Sequence, residues 1–262
     1  EMVTQWLFGE TAEVLEGDGA WSRLCFDHDG YEGWVDNKQI TRCLTPNVEP
    51  DRRVIDQTSL VDLGDRQVLL PYGAVLPFLQ DGTILWDGRR VPVNAVTNVL
   101  GRNDRAGLIE TYIHPFLGAP YLWGGRTPAG VDCSGFTQAI FMLMGIYLRR
   151  DAYQQAEEGD PVEFAELAIT GDLAFFDNAE GRITHVGIVL RRDHEQPAEI
   201  VHASGHVRID TLDQQGIFNN QEQRYTHTLR LLRMVALAYR PCSAWLYPVN
   251  TVVPSLPVRK SS

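Results

Sequence analysis

Residues 121–145 read YLWGGRTPAGVDCSGFTQAIFMLMG. Cys133 follows Gly124, Gly125 and Gly130 and precedes an apolar stripe, Phe136, Ile140, Leu143 and Met144, at the spacing of one helix face. A thiol in the first turn of a helix lies among unpaired backbone N–H groups at the positive end of the dipole, which stabilise its thiolate. The expectation is a lowered thiol pKa and a nucleophile. The glycines permit a tight approach with no β-carbon in the way. Asp132 caps the helix or orients a neighbour. A small buried cysteine at a helix start is the alternative reading of the same residues.

A nucleophilic thiol needs a base, and the base needs an orienting group. In RITHVGIVL, His185 alternates with apolar residues and shares a face with Gly187, which is expected to leave room for a helix N-terminus. In EIVHASG, His202 closes the next strand. Neighbouring antiparallel strands would set the two imidazoles side by side, His185 taking the thiol proton and His202 fixing its ring and tautomer. His28, His114, His194, His206 and His227 stand in polar or turn-like contexts and receive no role. Cys133, His185 and His202 are also zinc-ligand types, but they contain no short ligand pair, and a metal would leave the glycines unexplained.

These residues need a scaffold. From residue 1 to 45 short strands (AEVLE, WSRLCF, YEGWV) alternate with the turns GDG and DHDG, as in a small barrel. Residues 46–100 repeat the style with RQVLLPYG, AVLPFLQ, DGTILWDG and RRVPVNAV, and LTPNVEP has the composition of a linker. The texture then changes. Ile109, Tyr112, Ile113 and Phe116 share a helical face that Pro115 and Gly118 end, and Gly145 ends the helix after Cys133. DLAFF, THVGIVL and AEIVHASG are strand-like, so helices followed by antiparallel strands predict an α+β domain over 101–262. The tail YPVNTVVPSLPVRKSS is proline-rich and extended.

Composition bounds the function. The 262-residue chain has a net charge of −11, which disfavours nucleic acid and anionic lipid as partners. It has no apolar run of the roughly eighteen residues that a membrane helix needs. Cys25, Cys43, Cys133 and Cys242 form no Cys-x-x-Cys pair; Cys25 and Cys43 are either a disulfide or two buried thiols. The opening Glu-Met-Val-Thr-Gln shows no signal peptide, and residues upstream are expected to be missing. These residues leave the compartment open.

PYLWGG, DCSGF, LRRDAYQQ, GDLAFF, THVGIVL and HASG, in that order, closely resemble the NlpC-type papain-like cell-wall cysteine peptidases over roughly residues 104–240. LFGE and GYEGWV resemble the first of the bacterial SH3-like barrels that precede this domain in the γ-D-glutamyl-L-diamino acid endopeptidases. The resemblance implies Cys133 as nucleophile, His185 as base and His202 as the third, polar member. It also implies an oxyanion held by the Tyr121 hydroxyl and the Cys133 N–H. It further implies that Asp151 pairs the free ammonium of an N-terminal L-alanine and that Tyr31 closes the far end of the cleft, with Glu1 as a further acidic contact. Trp123 would line the pocket wall. Ser134 is either a first-turn hydrogen bonder or a substrate contact.

Bland alternatives stand beside these. Asp151 is also placed to cap the AYQQAEEG helix, Tyr31 to be a barrel-surface aromatic, and Tyr121 to be a core aromatic with a bonded hydroxyl. Ala152 stands where the subgroup often has serine, which removes one substrate hydrogen bond, typically about 1 kcal/mol.

The expectation is thus two small SH3-like β-barrels (1–45 and 46–100) and a papain-like α+β catalytic domain. It would cleave the bond between γ-D-glutamate and diaminopimelate or lysine in peptidoglycan-derived peptides, with no cofactor or metal. The rivals are a non-catalytic wall-binding module and an acyltransferase on the same scaffold.

Overall fold

A computed structural model describes residues 2–42, 52–64, 66–86, 88–98, 104–193, 195–235 and 251–254. Glu1, Cys43 with its possible pairing to Cys25, Cys242, His194 and the LTPNVEP segment lie outside these residues. The chain divides into two compact units. One holds Gln5–Leu100 with Arg240–Ser262, the other Glu1–Thr4 with Gly101–Tyr239.

The first unit begins with β1 (Ala12–Asp18), β2 (Trp21–Phe26), β3 (Glu32–Asp36) and β4 (Ile40–Arg42). Alternation along β2 buries Ser22, Leu24 and Phe26 and turns Trp21 outward. Ala12, Leu24 and Phe26 form a small core, against which Trp6, Val14, Tyr31, Val35 and Ile40 pack half-buried.

A second sheet follows: β5 (Leu60–Asp62), β6 (Gln67–Leu69), β7 (Thr83–Trp86) and β8 (Arg89–Asn94), in the order β6-β5-β8-β7. The stretch AVLPFLQ contributes only isolated bridges, at Val75 and Gln80, where a strand was expected. Pro77 has no N–H to give a ladder, and Phe78 sits at φ 51°. LFGE ties the two sheets together. Phe8 stacks on Trp86 at 4.4 Å between ring centres, within the second core of Val54, Val61, Leu70, Leu76 and Ile84. Two residues on, buried Glu10 meets buried Arg53 at 3.1 Å and accepts the Leu7 N–H at 2.9 Å. An ion pair out of water holds only when both partners are satisfied, and Arg53 also donates to the Gly73 carbonyl.

The second unit opens with α1 (Arg105–Ile113), capped by Asp104 and continued by a 3₁₀ turn to Phe116. Ile109, Tyr112, Ile113 and Phe116 are all buried, as their spacing predicts. A minimal hairpin of β9 (Arg126–Thr127) and β10 (Gly130–Val131) leads into α2 (Cys133–Leu143). Every residue of α2 is buried, as suits a helix that is apolar nearly all round. Then come α3 (Ala152–Gln155), β11 (Asp160–Val162), β12 (Leu173–Asp177), β13 (Ile183–Leu190), β14 (Ala198–Ser204), β15 (His206–Leu212), β16 (Gly216–Asn219) and β17 (Arg224–Met234). The sheet runs β11-β17-β12-β13-β14-β15-β16, and β16 also pairs with β17. Six strands therefore close into a barrel, filled by Ala174, Phe176, Val189, Ala198, Ile200, Leu212, Ile217 and Leu232. The closure is what brings distant strands to one end of the barrel interior.

The tail supplies β18 (Thr251–Pro254), which lies between β1 and β4 in the first sheet, with Ala12 opposite Val252 and Thr41 opposite Val253.

Candidate active site

Cys133 is the first residue of α2 and is buried. The loop before it is fixed by Asp132, whose Oδ1 accepts from the Gly135 N–H (2.7 Å) and Arg150 Nη1 (3.0 Å). Its Oδ2 accepts from the Gly124 N–H (2.7 Å) and Arg150 Nη2 (2.6 Å). Asp132 thus caps the helix and is charge-paired beneath it. Arg150 is buried too, and adds bonds to the Ser134 and Thr4 hydroxyls at 3.0 and 2.9 Å. Gly125 is the glycine this packing demands: a β-carbon there would come within 2.3 Å of the Gly130 carbonyl oxygen.

The thiol docks against β13. That strand is paired with β12 along Ile183–Ile188, but with β14 only from Ile188 to Leu190. Ahead of Ile188 the β14-facing edge opens. The Cys133 thiol donates to the Thr184 carbonyl oxygen at 3.9 Å, and the Val186 N–H is close enough to favour its thiolate, so the sulfur meets the backbone on either side of His185. Among the described residues no hydrogen bond joins the sulfur to the His185 ring. Catalytic hydrogen bonds are often long in ligand-free enzymes and tighten when substrate arrives.

The thiol pKa is a correction. Burial, then the Asp132 charge, pushes it up to about 11, against the pull of the Val186 and Ser134 N–H groups and Arg150. The helix terminus contributes in the expected direction, but desolvation of a closed seat outweighs it. The resting pair is therefore thiol and neutral imidazole. His185 agrees, since burial and then His202, His227 and Arg208 hold its pKa well below the usual histidine range.

His185 and His202 are brought together: Nε2 of the first lies 2.8 Å from Nδ1 of the second. The role foreseen for Gly187 is corrected. A β-carbon there would strike Ile200 (2.7 Å) and the His202 β-carbon (2.9 Å), so its missing side chain makes room for β14 rather than for the helix. His202 Nε2 in turn lies 3.1 Å from Asp210 Oδ2, which also accepts from Arg208 Nε at 2.8 Å.

Tyr121 is 37% exposed, and Trp123, beside it, 60%. Burial, then the nearby Cys133 and Asp132 charges, pushes the Tyr121 hydroxyl up to about 12, so it stays a donor. Ser134 is buried under the site with its hydroxyl on Arg150 and Asp132. Asp151 is the N-cap of α3, in a capping box with Gln154. Tyr31 belongs to the first unit, half-buried against the core of its first sheet.

Three contributors were not foreseen. Asp210 is buried and in phase with core residue Leu212 along β15, a signal that alternation offers. Arg150 is half of an arginine doublet, and a buried Asp132 demands such a partner. His227, given no role from sequence, stacks on His185 with ring centres 4.4 Å apart, and nothing local in β17 marks it.

Comparison with known proteins meets this geometry. Residues 118–228 match the NlpC/P60 family and residues 1–40 the bacterial dipeptidyl-peptidase Sh3 domain. A gamma-D-glutamyl-L-lysine dipeptidyl-peptidase of Bacillus subtilis is 30% identical over 201 residues, 70% of this chain and 67% of that protein. A protein of the same name from Bacillus cereus is 30% identical over 216 residues, 71% of this chain and 64% of its own. The crystal structure of an NlpC/P60 family protein from Bacillus cereus superposes with a TM-score of 0.70 at 25% identity, covering 88% of this chain and 81% of that one. These matches, together with the buried helix that begins with Cys133 beside the histidine-bearing β13, show that the chain belongs to the NlpC/P60 family of cysteine peptidases.

Proposed function

We propose that this peptidase hydrolyses the amide between γ-D-glutamate and the L-diamino acid, diaminopimelate or lysine, of peptidoglycan stem peptides, and prefers those with a free N-terminal L-alanine. The observation that carries the reading is the seat of the Cys133 thiol, on the backbone flanking a histidine whose far nitrogen is bonded to a second histidine. The names of the two Bacillus relatives supply the bond. The architecture under this reading is a papain-like α+β catalytic domain behind two small SH3-like barrels.

The steps follow from the protonation states. With thiol and neutral imidazole at rest, His185 removes the Cys133 proton as the sulfur attacks the γ-glutamyl carbonyl. The oxyanion is held by the Tyr121 hydroxyl and the Cys133 N–H; one such donor is typically worth about 3–4 kcal/mol. Protonated His185 then gives its proton to the leaving amine. Water, deprotonated by the same ring, releases L-Ala-γ-D-Glu from the thioester. The thiol and imidazole supply nucleophile, base and acid between them.

Selection of a free N-terminus needs a negative group near the ammonium, because a buried unpaired charge is costly. Asp151 is assigned that part: a carboxylate offers about four lone-pair sites and caps a helix with only some of them. Glu1 is assigned a further acidic contact and Trp123 a wall, and Ser134 and Asp132 support the loop beneath. The test is incubation with L-Ala-γ-D-Glu-meso-diaminopimelate and with its N-acetylated form. Cleavage of the free peptide alone is expected. Equal cleavage of both would overturn the selection, and cleavage of neither the assignment.

A further inference from the structure

Asp210 is surrounded by donors. Its Oδ2 faces Arg208 Nε at 2.8 Å and His202 Nε2 at 3.1 Å, and its Oδ1 accepts the Asn220 N–H at 3.1 Å. A guanidinium and a peptide N–H have no acceptor to offer, and a carboxylate paired with arginine has no proton to give. The proton between Asp210 and His202 must therefore sit on His202 Nε2. A neutral His202 then has a bare Nδ1, so the 2.8 Å bond to His185 takes its proton from His185 Nε2. That leaves His185 Nδ1 with its lone pair.

We infer that Asp210, held by Arg208 two residues earlier on β15, is a positioning residue that fixes both imidazoles in the Nε2–H tautomer and so keeps His185 Nδ1 open to accept the Cys133 proton. The inference rests on the reading of His185 as the base. Proton balance is simple. The thiol proton moves from Sγ to His185 Nδ1 and later to the leaving amine, while the Nε2–H protons of both rings stay in place. No proton reaches Asp210.

Removing the carboxylate reverses the chain. In Asp210→Ala, the remaining neighbour of His202 Nε2 is the donor Arg208. His202 then gains by carrying its proton on Nδ1, His185 Nε2 must accept it, and the His185 proton moves to Nδ1, where it blocks transfer from sulfur. A purely architectural Asp210 predicts no such reversal.

The test is nitrogen-15 spectroscopy of histidine-labelled full chain, assigned by single substitutions, together with kinetics on the free tripeptide. In the wild type both His185 and His202 should be protonated on Nε2. In Asp210→Ala both should switch to Nδ1–H, with kcat lowered about ten- to a hundredfold and KM within about twofold. A wild-type His202 protonated on Nδ1, or an Asp210→Ala kcat within about threefold of wild type, would overturn the inference. If the variant does not fold, the wild-type spectrum decides. Nε2–H tautomers in a protein that cleaves no tripeptide would count against the proposed reaction and leave the relay standing.

Discussion

His227 lies flat on His185, with ring centres 4.4 Å apart and planes inclined by 27°. His202 meets both rings edge-on, at 5.0 Å from His185 and 5.7 Å from His227. Three imidazoles thus share one end of the barrel, with Arg208 close by. A proton on any of them opposes a proton on the others, and burial opposes all three.

Acid sensitivity follows. Burial, then His202 and Arg208, lowers His227 to about 4, and His185 and His202 are lowered as well. An imidazole that binds protons more weakly folded than unfolded favours folding fully above its unfolded value near 6.5. It favours folding less and less as pH falls below that, down through its folded value. Asp210, lowered to about 2, adds a further loss that begins below its unfolded value near 3.8, where the unfolded carboxylate takes up its proton, and is complete below about 2. The Tm of the catalytic unit should be flat above about pH 7 and fall from about 6.5 toward 4. His227→Gln should make that slope shallower; an unchanged slope would refute the electrostatic account of the cluster.

Thiol reactivity should report the buried resting state. With Cys133 near 11, its alkylation by iodoacetamide, followed on the Cys133 peptide by mass spectrometry, should rise about tenfold per pH unit between 7 and 10. A rate already level at pH 7 would mean a preformed thiolate–imidazolium pair.

Arg150→Met removes the cation from the buried Asp132 carboxylate. A loss of about 3–5 kcal/mol in urea unfolding is expected. Arg150→Lys should recover little of it, because Asp132 is held by two parallel guanidinium bonds. A loss below about 1 kcal/mol in Arg150→Met would show that the pair does not frame the helix start.

Tyr121→Phe tests the oxyanion donor. The hydroxyl stays protonated to about 12, so it can donate across the whole working range. Expected is a fall in kcat of about a hundredfold or more with KM little changed. A rise in KM at constant kcat would make Tyr121 a binding residue only.

Much of the site was legible because its logic is local. Asp132, Cys133 and the helix behind them announce themselves by capping chemistry and apolar spacing, and His185 and His202 by strand alternation. What sequence could not supply is whatever depends on closure of the barrel. Asp210 reaches His202 across β14 and β15, and His227 reaches His185 only because β17 returns beside β12. The thiol's upward shift escaped for a related reason: a helix dipole can be read from a motif, whereas the desolvation that outweighs it belongs to the packed interior. In the second sheet, AVLPFLQ has the apolarity of a strand but also Pro77, and the missing donor prevailed.

The sheet formed by β1 to β4 is finished by residues from far later in the chain. Its fifth strand, β18, enters between β1 and β4 only after the whole hydrolytic segment has been synthesised. During translation the nascent module must wait with an unfilled gap. An excised copy of residues 1–45 would keep that gap permanently, inviting foreign strands to fill it. The module is therefore no freely transferable bead: to move it intact, both β1–β4 and β18 must be carried.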